Sequence, residues 1–143
     1  KNLPKRIYIK RNTQQRTVEN SACFEQMLQT KGFSIVSMEN YDLQDQIDMY
    51  SNAEFIIAVH GAGLTNIIYC KLNCIIVELK HKGMNDFLIH NCYAQLAEMS
   101  KLKNYNVYYT QYKTLNNCKS KNYNLSIDVK ALSIQLDNLL KSA

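Results

Sequence analysis

Proline and glycine are scarce in this chain: Pro4 stands alone and four glycines are spread over 143 residues, which leaves few places for a flexible linker between folded units. A single domain over residues 1–143 is therefore expected, and a chain of this size buries roughly 70% of its unfolded surface. The exception is the polar stretch 116–124. No apolar run is long enough for a membrane span or a signal peptide. The chain opens on Lys1 without a methionine and reads as a piece of a longer protein, with any anchor or address outside these residues.

Cysteine is present without pattern. Cys23, Cys70, Cys74, Cys92 and Cys118 are an odd number with no repeated C-x-x-C spacing, which argues against a disulfide framework and against a zinc knuckle. The first four stand in apolar surroundings and are expected as buried thiols. The count leans toward a reducing, cytoplasmic interior, with the secretory-pathway lumen as the alternative. No metal is expected, because His81, His90 and Cys92 lack regular ligand spacing. Asn124-Leu125-Ser126 spells a glycosylation acceptor, a triplet that arises easily by chance in an asparagine-rich chain.

The net charge is +5, and Lys1, Lys5, Arg6, Lys10, Arg11 and Arg16 gather near the start, so an anionic ligand fits. Nucleic acid fits less well: the cations are not dense, and no helix-turn-helix, zinc finger or aromatic RNA-binding pattern accompanies them.

Hydrophobic periodicity orders the rest. A strand is expected over 6–10, then a helix with Phe24, Met27 and Leu28 on one face that Gly32 stops, then a strand over 33–38. Asp42 caps a short helix carrying Leu43, Ile47 and Tyr50, which leads into the unbroken run Phe55-Ile56-Ile57-Ala58-Val59. Such a run suits a strand covered on both faces. A brief helix through Ile67, Ile68 and Tyr69 follows, then a second buried strand over 74–79. A helix striped by Leu88, Cys92, Leu96 and Met99, a last strand at 107–109, and a terminal helix capped by Asp128 with Val129, Leu132, Leu136, Leu139 and Leu140 on one face complete the chain. Strand-helix alternation of this kind predicts an α/β fold, a three-layer, doubly wound parallel sheet with right-handed crossovers.

Ligands of open parallel sheets bind at the carboxyl ends of strands, here the loops 10–16, 60–66 and 80–86. Gly61 and Gly63 let backbone approach a ligand, and the amides of Leu64, Thr65 and Asn66 at the start of the following helix are expected to meet phosphate oxygens. Thr65 and Asn66 add side-chain donors, and His60 adds an imidazole. A dinucleotide fingerprint is excluded by Asn66 where its third glycine belongs, and a P-loop by the missing Lys-Ser/Thr pair. A solitary Gly-x-Gly would mark only a tight turn; the whole segment, a strand ending in His60-Gly61-Ala62-Gly63-Leu64-Thr65-Asn66 and a second strand ending near Glu78, points to more. The late tyrosines Tyr105, Tyr108, Tyr109, Tyr112 and Tyr123 read as packing or solvent-facing strand residues rather than a stacking platform.

That segment and its surroundings resemble glycosyltransferase family 61. Ile7-Tyr8-Ile9-Lys10-Arg11 is similar to the family's tyrosine-containing strand and arginine, Arg16 and Asn20 to its arginine and Asn-Glu box, Gly32-Phe33 to its Gly-Phe, Gln46 and Ala53 to the helix before the glycine segment, and Val77-Glu78-Leu79 to its strand-borne glutamate. Lys10, Asn12 and Ser21 depart from the pattern, Ser21 replacing the acidic member of the box.

The resemblance implies a Rossmann-like domain, one half of a GT-B-type enzyme and its C-terminal part, that binds a nucleotide sugar, a UDP-sugar, and transfers the sugar with inversion to a polysaccharide or glycoprotein acceptor. Arg11 and Arg16 would hold the diphosphate, together with the turn of His60, Gly61, Ala62, Gly63, Leu64, Thr65 and Asn66. Glu78 would accept from ribose or sugar hydroxyls, the alternative being pairing with Lys80 or Lys82. His60 is the catalytic candidate, with roles from leaving-group stabilisation to holding the turn left open. No cofactor beyond the donor is implied, and the implied partners are the donor, the acceptor and an N-terminal domain of the parent enzyme. The competing class is a non-catalytic nucleotide- or partner-binding domain of the same fold.

Overall fold

The two unbroken apolar runs become neighbouring central strands, as continuous burial requires. The computed structural model of the chain describes residues 2–13, 16–84, 91–114 and 123–142. Its strands are β1 (Arg6–Ile9), β2 (Ser34–Val36), β3 (Phe55–Val59), β4 (Ile75–His81), β5 (Asn104–Thr114) and β6 (Tyr123–Ser126), arranged β2-β1-β3-β4-β5-β6. The first five are parallel, and β6 runs antiparallel to β5. Every residue of β3 and β4 is buried. Ile57 sits in register with Tyr8 on one side and Val77 on the other.

Because side chains alternate across a strand, the sheet carries a core on each face. On one, Ile57, Val59 and Val77 meet Phe24 and Leu28 of α1 (Ser21–Thr30) and Leu132 and Leu136 of α4 (Val129–Lys141). On the other, Ile56, Ala58 and Ile76 meet Met49 and Tyr50 of α2 (Leu43–Asn52), Leu64 and Ile67 of the 3-10 helix Ala62–Tyr69, and Ala97 of α3 (Cys92–Met99). Helices thus cover both faces of an α/β sheet.

Helix ends follow local chemistry. The Asp42 side chain accepts from the amide of Asp45 at 2.8 Å and Asp128 from that of Ala131 at 2.9 Å, each satisfying an orphan donor of the first turn. After α1, Gly32 takes a left-handed φ of 80°, which lets its own amide and that of Phe33 close back on Gln29 and Leu28.

The sheet is mixed rather than wholly parallel, because the end of the polar stretch and the two residues after it form β6 antiparallel to β5. Its pairing residues are polar and apolar by turns, and Tyr123 and Leu125 are the buried ones. β5 is likewise longer than 107–109, since Asn104, Asn106 and Gln111 interrupt its apolar character without interrupting its ladder. On its far side β6 meets the segment after β1: Val18 bridges Leu125, and the amides of Arg16 and Glu19 donate to the carbonyls of Tyr123 and Leu125. The sheet thus curls so that its last strand reaches the loop following its first. Asn20 fastens the curl, donating to the Ile127 carbonyl at 2.7 Å and accepting from the Ile127 amide at 3.0 Å. Asn124 of the glycosylation triplet is similarly occupied, accepting from the Thr17 hydroxyl at 3.1 Å.

Three smaller expectations are corrected. Leu43 opens α2 just after its cap and is 63% exposed, so burial falls on Met49 and Tyr50. On α3 the inward stripe is Tyr93, Leu96 and Ala97; it shares Leu96 with the expected stripe but leaves Met99 81% exposed. Leu88 lies outside the described residues. Cys70 and Cys74 are buried as expected, whereas Cys23 and Cys92 are exposed; Cys118 lies outside the described residues.

Replacing Asn20 by alanine leaves both backbone groups of Ile127 without their partner and is expected to cost about 1–3 kcal/mol in urea unfolding. An unchanged midpoint and slope would show that the curl does not depend on this side chain.

Candidate functional site

The order β2-β1-β3 makes β1 and β3 the switch point, from which successive connections pass to opposite faces of the sheet, and a crevice opens at their carboxyl ends. β1 delivers Arg11 to this edge and β3 delivers His60 and Gly61. The Arg11 guanidinium lies across the turn, its Nη1 donating weakly to the His60 carbonyl at 3.5 Å. A Cβ on Gly61 would stand 2.1 Å from that nitrogen, and the backbone there (φ 157°, ψ −176°) occupies a region open essentially to glycine alone. Gly63 is close-packed as well: its Cβ would lie 3.1 Å from Ile9 Cγ2, and its carbonyl accepts from the buried Tyr50 hydroxyl.

The helix after the turn is 3-10, with its first bond from the Leu64 amide to the Gly61 carbonyl at 3.0 Å. The amides of Leu64, Thr65 and Asn66 are therefore consumed by the ladder, and the donors left at its start are those of Ala62 and Gly63. These two residues line a crevice of about 310 Å³ with Ile9, Arg11, Met38 and Val59. Leu64 itself is a core side chain, and Thr65 is exposed beside its hydrogen-bond partner Tyr93. The Asn66 amide donates to Gln46 at 3.1 Å, and Gln46 in turn donates to the carbonyls of Met38 and Tyr41, which ties the crevice walls together.

Arg11 also walls a second cavity, of about 230 Å³, on the α1 face with Arg16, Lys10, Thr17 and Ser21. Burial, and after it the charge of Arg16, lowers the Arg11 pKa. Arg11 Nε is buried with no hydrogen-bond partner among the described residues. Arg16 takes a left-handed φ of 56°, held there by its amide bond to Tyr123. Lys10 pairs with Glu25 at 2.8 Å, so the cations facing each other across this space are the two arginines.

Beneath the turn lies a buried polar cluster. Glu78 is fully buried; one carboxylate oxygen accepts from His60 Nδ1 at 2.5 Å and the other from the Tyr105 hydroxyl, with Lys80 Nζ 3.9 Å away. Burial and the Glu78 charge raise the Tyr105 pKa, which keeps the hydroxyl a donor. The contact between Nδ1 and the carboxylate fixes the orientation of the His60 ring. The edge of the Tyr93 ring packs on the imidazole at 5.1 Å. Glu78 therefore spends both oxygens inside the protein, close to the expected lysine Lys80.

Of the expected residues, Arg11, Ala62 and Gly63 line the crevice, His60 and Gly61 stand behind it against the Arg11 guanidinium, and Arg16 joins Arg11 from the α1 side. From the third loop, Lys80 is buried and His81 packs between Tyr112 and Tyr123, while residues 85 and 86 lie outside the described residues, as does His90. No group of metal-holding side chains occurs among the described residues. Tyr105 was readable only as a strand tyrosine; its place diagonal to Glu78 follows from the register of β5 on β4.

Comparison with known proteins matches residues 1–77 to the family Glycosyltransferase 61. Over 106 residues the chain is 30% identical to the beta-1,2-xylosyltransferase XAX1 of Oryza sativa subsp. japonica, an alignment spanning 73% of this chain and 19% of that protein. The chain thus spans about a fifth of the relative's length. The family match covers more than half of the chain and takes in β1, its arginine and the whole glycine turn, and the chain accordingly belongs to glycosyltransferase family 61.

Proposed function

We propose that this domain binds the diphosphate of a nucleotide sugar, a UDP-sugar, at Arg11, Arg16 and the first-turn amides of Ala62 and Gly63, as the donor half of a GT-B-type glycosyltransferase. The observation that carries the reading is the Arg11 guanidinium, buried at Nε without a partner among the described residues and close enough to a second arginine to feel its charge. Two cations brought together cost energy, and a bound anion with paired acceptor oxygens turns that cost into attraction. Family membership and the similarity to a protein named as a xylosyltransferase support sugar transfer as the reaction.

In inverting transfer, the acceptor hydroxyl oxygen attacks the anomeric carbon as the bond to the phosphate oxygen breaks. The electron pair leaves with the diphosphate, and the hydroxyl proton passes to a base. Arg11, Arg16 and the turn amides meet the charge that grows on the leaving group. Glu78 and Tyr105 act by holding His60, whose imidazole sits directly under the turn. Acceptor, a glycan or glycoprotein, and base are assigned to a second, N-terminal domain of the parent enzyme.

One observation favours a second reading, a non-catalytic nucleotide- or partner-binding domain: Ser21, where the family resemblance calls for an acid, lines the arginine cavity. Sugar transfer by the full-length parent separates the two.

Titration of the chain with UDP, followed by amide NMR shifts, is expected to saturate at Arg11 and residues 61–63. Arg11→Ala and Arg16→Ala should each weaken binding about 10–100-fold, the range for losing a charge-assisted hydrogen bond. Undiminished binding in both variants would refute the diphosphate site. Gly61→Ala, which displaces the guanidinium, should weaken UDP to a similar degree while the spectrum stays dispersed. Tyr105→Phe strips a buried carboxylate oxygen of its donor and should cost about 1–3 kcal/mol in urea unfolding, a loss that full retention of stability would disprove.

A further inference from the structure

Two carboxylates stand near the strand ends, and their surroundings separate them. Glu78 is fully buried, and each of its oxygens already has a partner inside the protein, His60 or Tyr105, so a ligand hydroxyl does not reach it in this structure. Glu39 is exposed, on the 3-10 turn Met38–Asn40 that follows β2, and lines the same 310 Å³ crevice as Arg11, Ala62 and Gly63. The crevice is amphipathic. Ile9, Met38, Val59 and Ala62 give it an aliphatic floor, while Asn12, Thr13 and Glu39 give it a polar lip.

Charge divides this space into two zones. The arginine end attracts phosphate, whereas the Glu39 end repels it and favours neutral groups that donate hydrogen bonds. A nucleoside has that shape: an apolar, planar base on one side and ribose hydroxyls on the other. Its diphosphate would leave the crevice toward Arg11. Dinucleotide-binding sheets, whose glycine fingerprint this chain lacks, likewise use an acidic residue beyond the first strand to accept from a ribose hydroxyl, and Glu39 follows β2, the strand beside β1. The platform under Glu39 is fixed, since Gln46 donates to the carbonyls of Met38 and Tyr41 at 3.0 Å on either side of it, and Ser37 donates to Asn12 at 3.2 Å. A cavity of this size is at the small end for ligand sites and suits one nucleoside rather than a whole nucleotide sugar.

We propose that the β1–β2–β3 crevice takes the nucleoside of the donor and that Glu39, not Glu78, accepts from its ribose hydroxyls. The proposal rests on the diphosphate reading above. Its test is titration of the wild-type chain and Glu39→Ala with UDP, 2′,3′-dideoxy-UDP and inorganic pyrophosphate, with NMR shifts as readout. Wild type is expected to favour UDP over the dideoxy analogue about tenfold or more, the loss of hydrogen bonds to a charged acceptor. Glu39→Ala should erase that preference while binding pyrophosphate at least as well as wild type. A wild-type chain that binds pyrophosphate but does not distinguish UDP from its dideoxy analogue overturns the Glu39 assignment alone, as does a Glu39→Ala chain that keeps the preference. A wild-type chain that binds none of the three overturns the diphosphate site and this assignment with it.

Discussion

The Arg11 guanidinium pressed against the backbone of Gly61 is the contact on which the geometry of the strand ends depends. It needs a residue without a Cβ, in a conformation that only glycine adopts readily. Given that, the exits of β1 and β3 draw together, and one side chain becomes the shared wall of the crevice and the arginine cavity. The short, tightly wound helix after the turn follows from the same constraint. Its first ladder bond closes on the Gly61 carbonyl, which fixes Ala62 and Gly63 as the open amides.

Beneath that contact the chain tolerates a carboxylate in its core. An isolated buried charge costs several kcal/mol, and the cost is met only when its oxygens are hydrogen-bonded. His60, Tyr105 and Lys80 come from the ends of β3, β5 and β4 itself, so satisfying Glu78 requires three strands in correct register. The polar cluster and the glycine turn are therefore two sides of one construction: the first orients the imidazole whose backbone carbonyl the second presents to Arg11.

The central strands, the two capped helices and the crevice at the strand ends were legible because each rests on local chemistry: unbroken apolar runs, Asp42 and Asp128 before helical periods, glycines after a strand. Arg11 and the turn could be placed from the same information. What escaped was set by distant pairing. β6 hides in a polar stretch because half of its residues face outward, and its identity as a strand depends on partners in β5 and in residues 16–19. Glu78 was legible as a strand-borne acid, but sequence gives a strand position without saying which neighbours its oxygens meet. Glu39, an exposed glutamate on a short turn, has no periodic signature, and only the fold brings it to the crevice.

The clasp between β6 and the segment after β1 has a thermodynamic meaning. Arg16 owes its left-handed backbone to an amide bond with Tyr123, which lies on the last strand to join the sheet. Arg16 is thereby tied to β6, and through Asn20 the same segment is tied to Ile127, just before α4. If the arginine cavity binds an anion as proposed, and binds it better with β6 in place, then by linkage the anion stabilises the docking of β6 by the same factor as docking strengthens its binding.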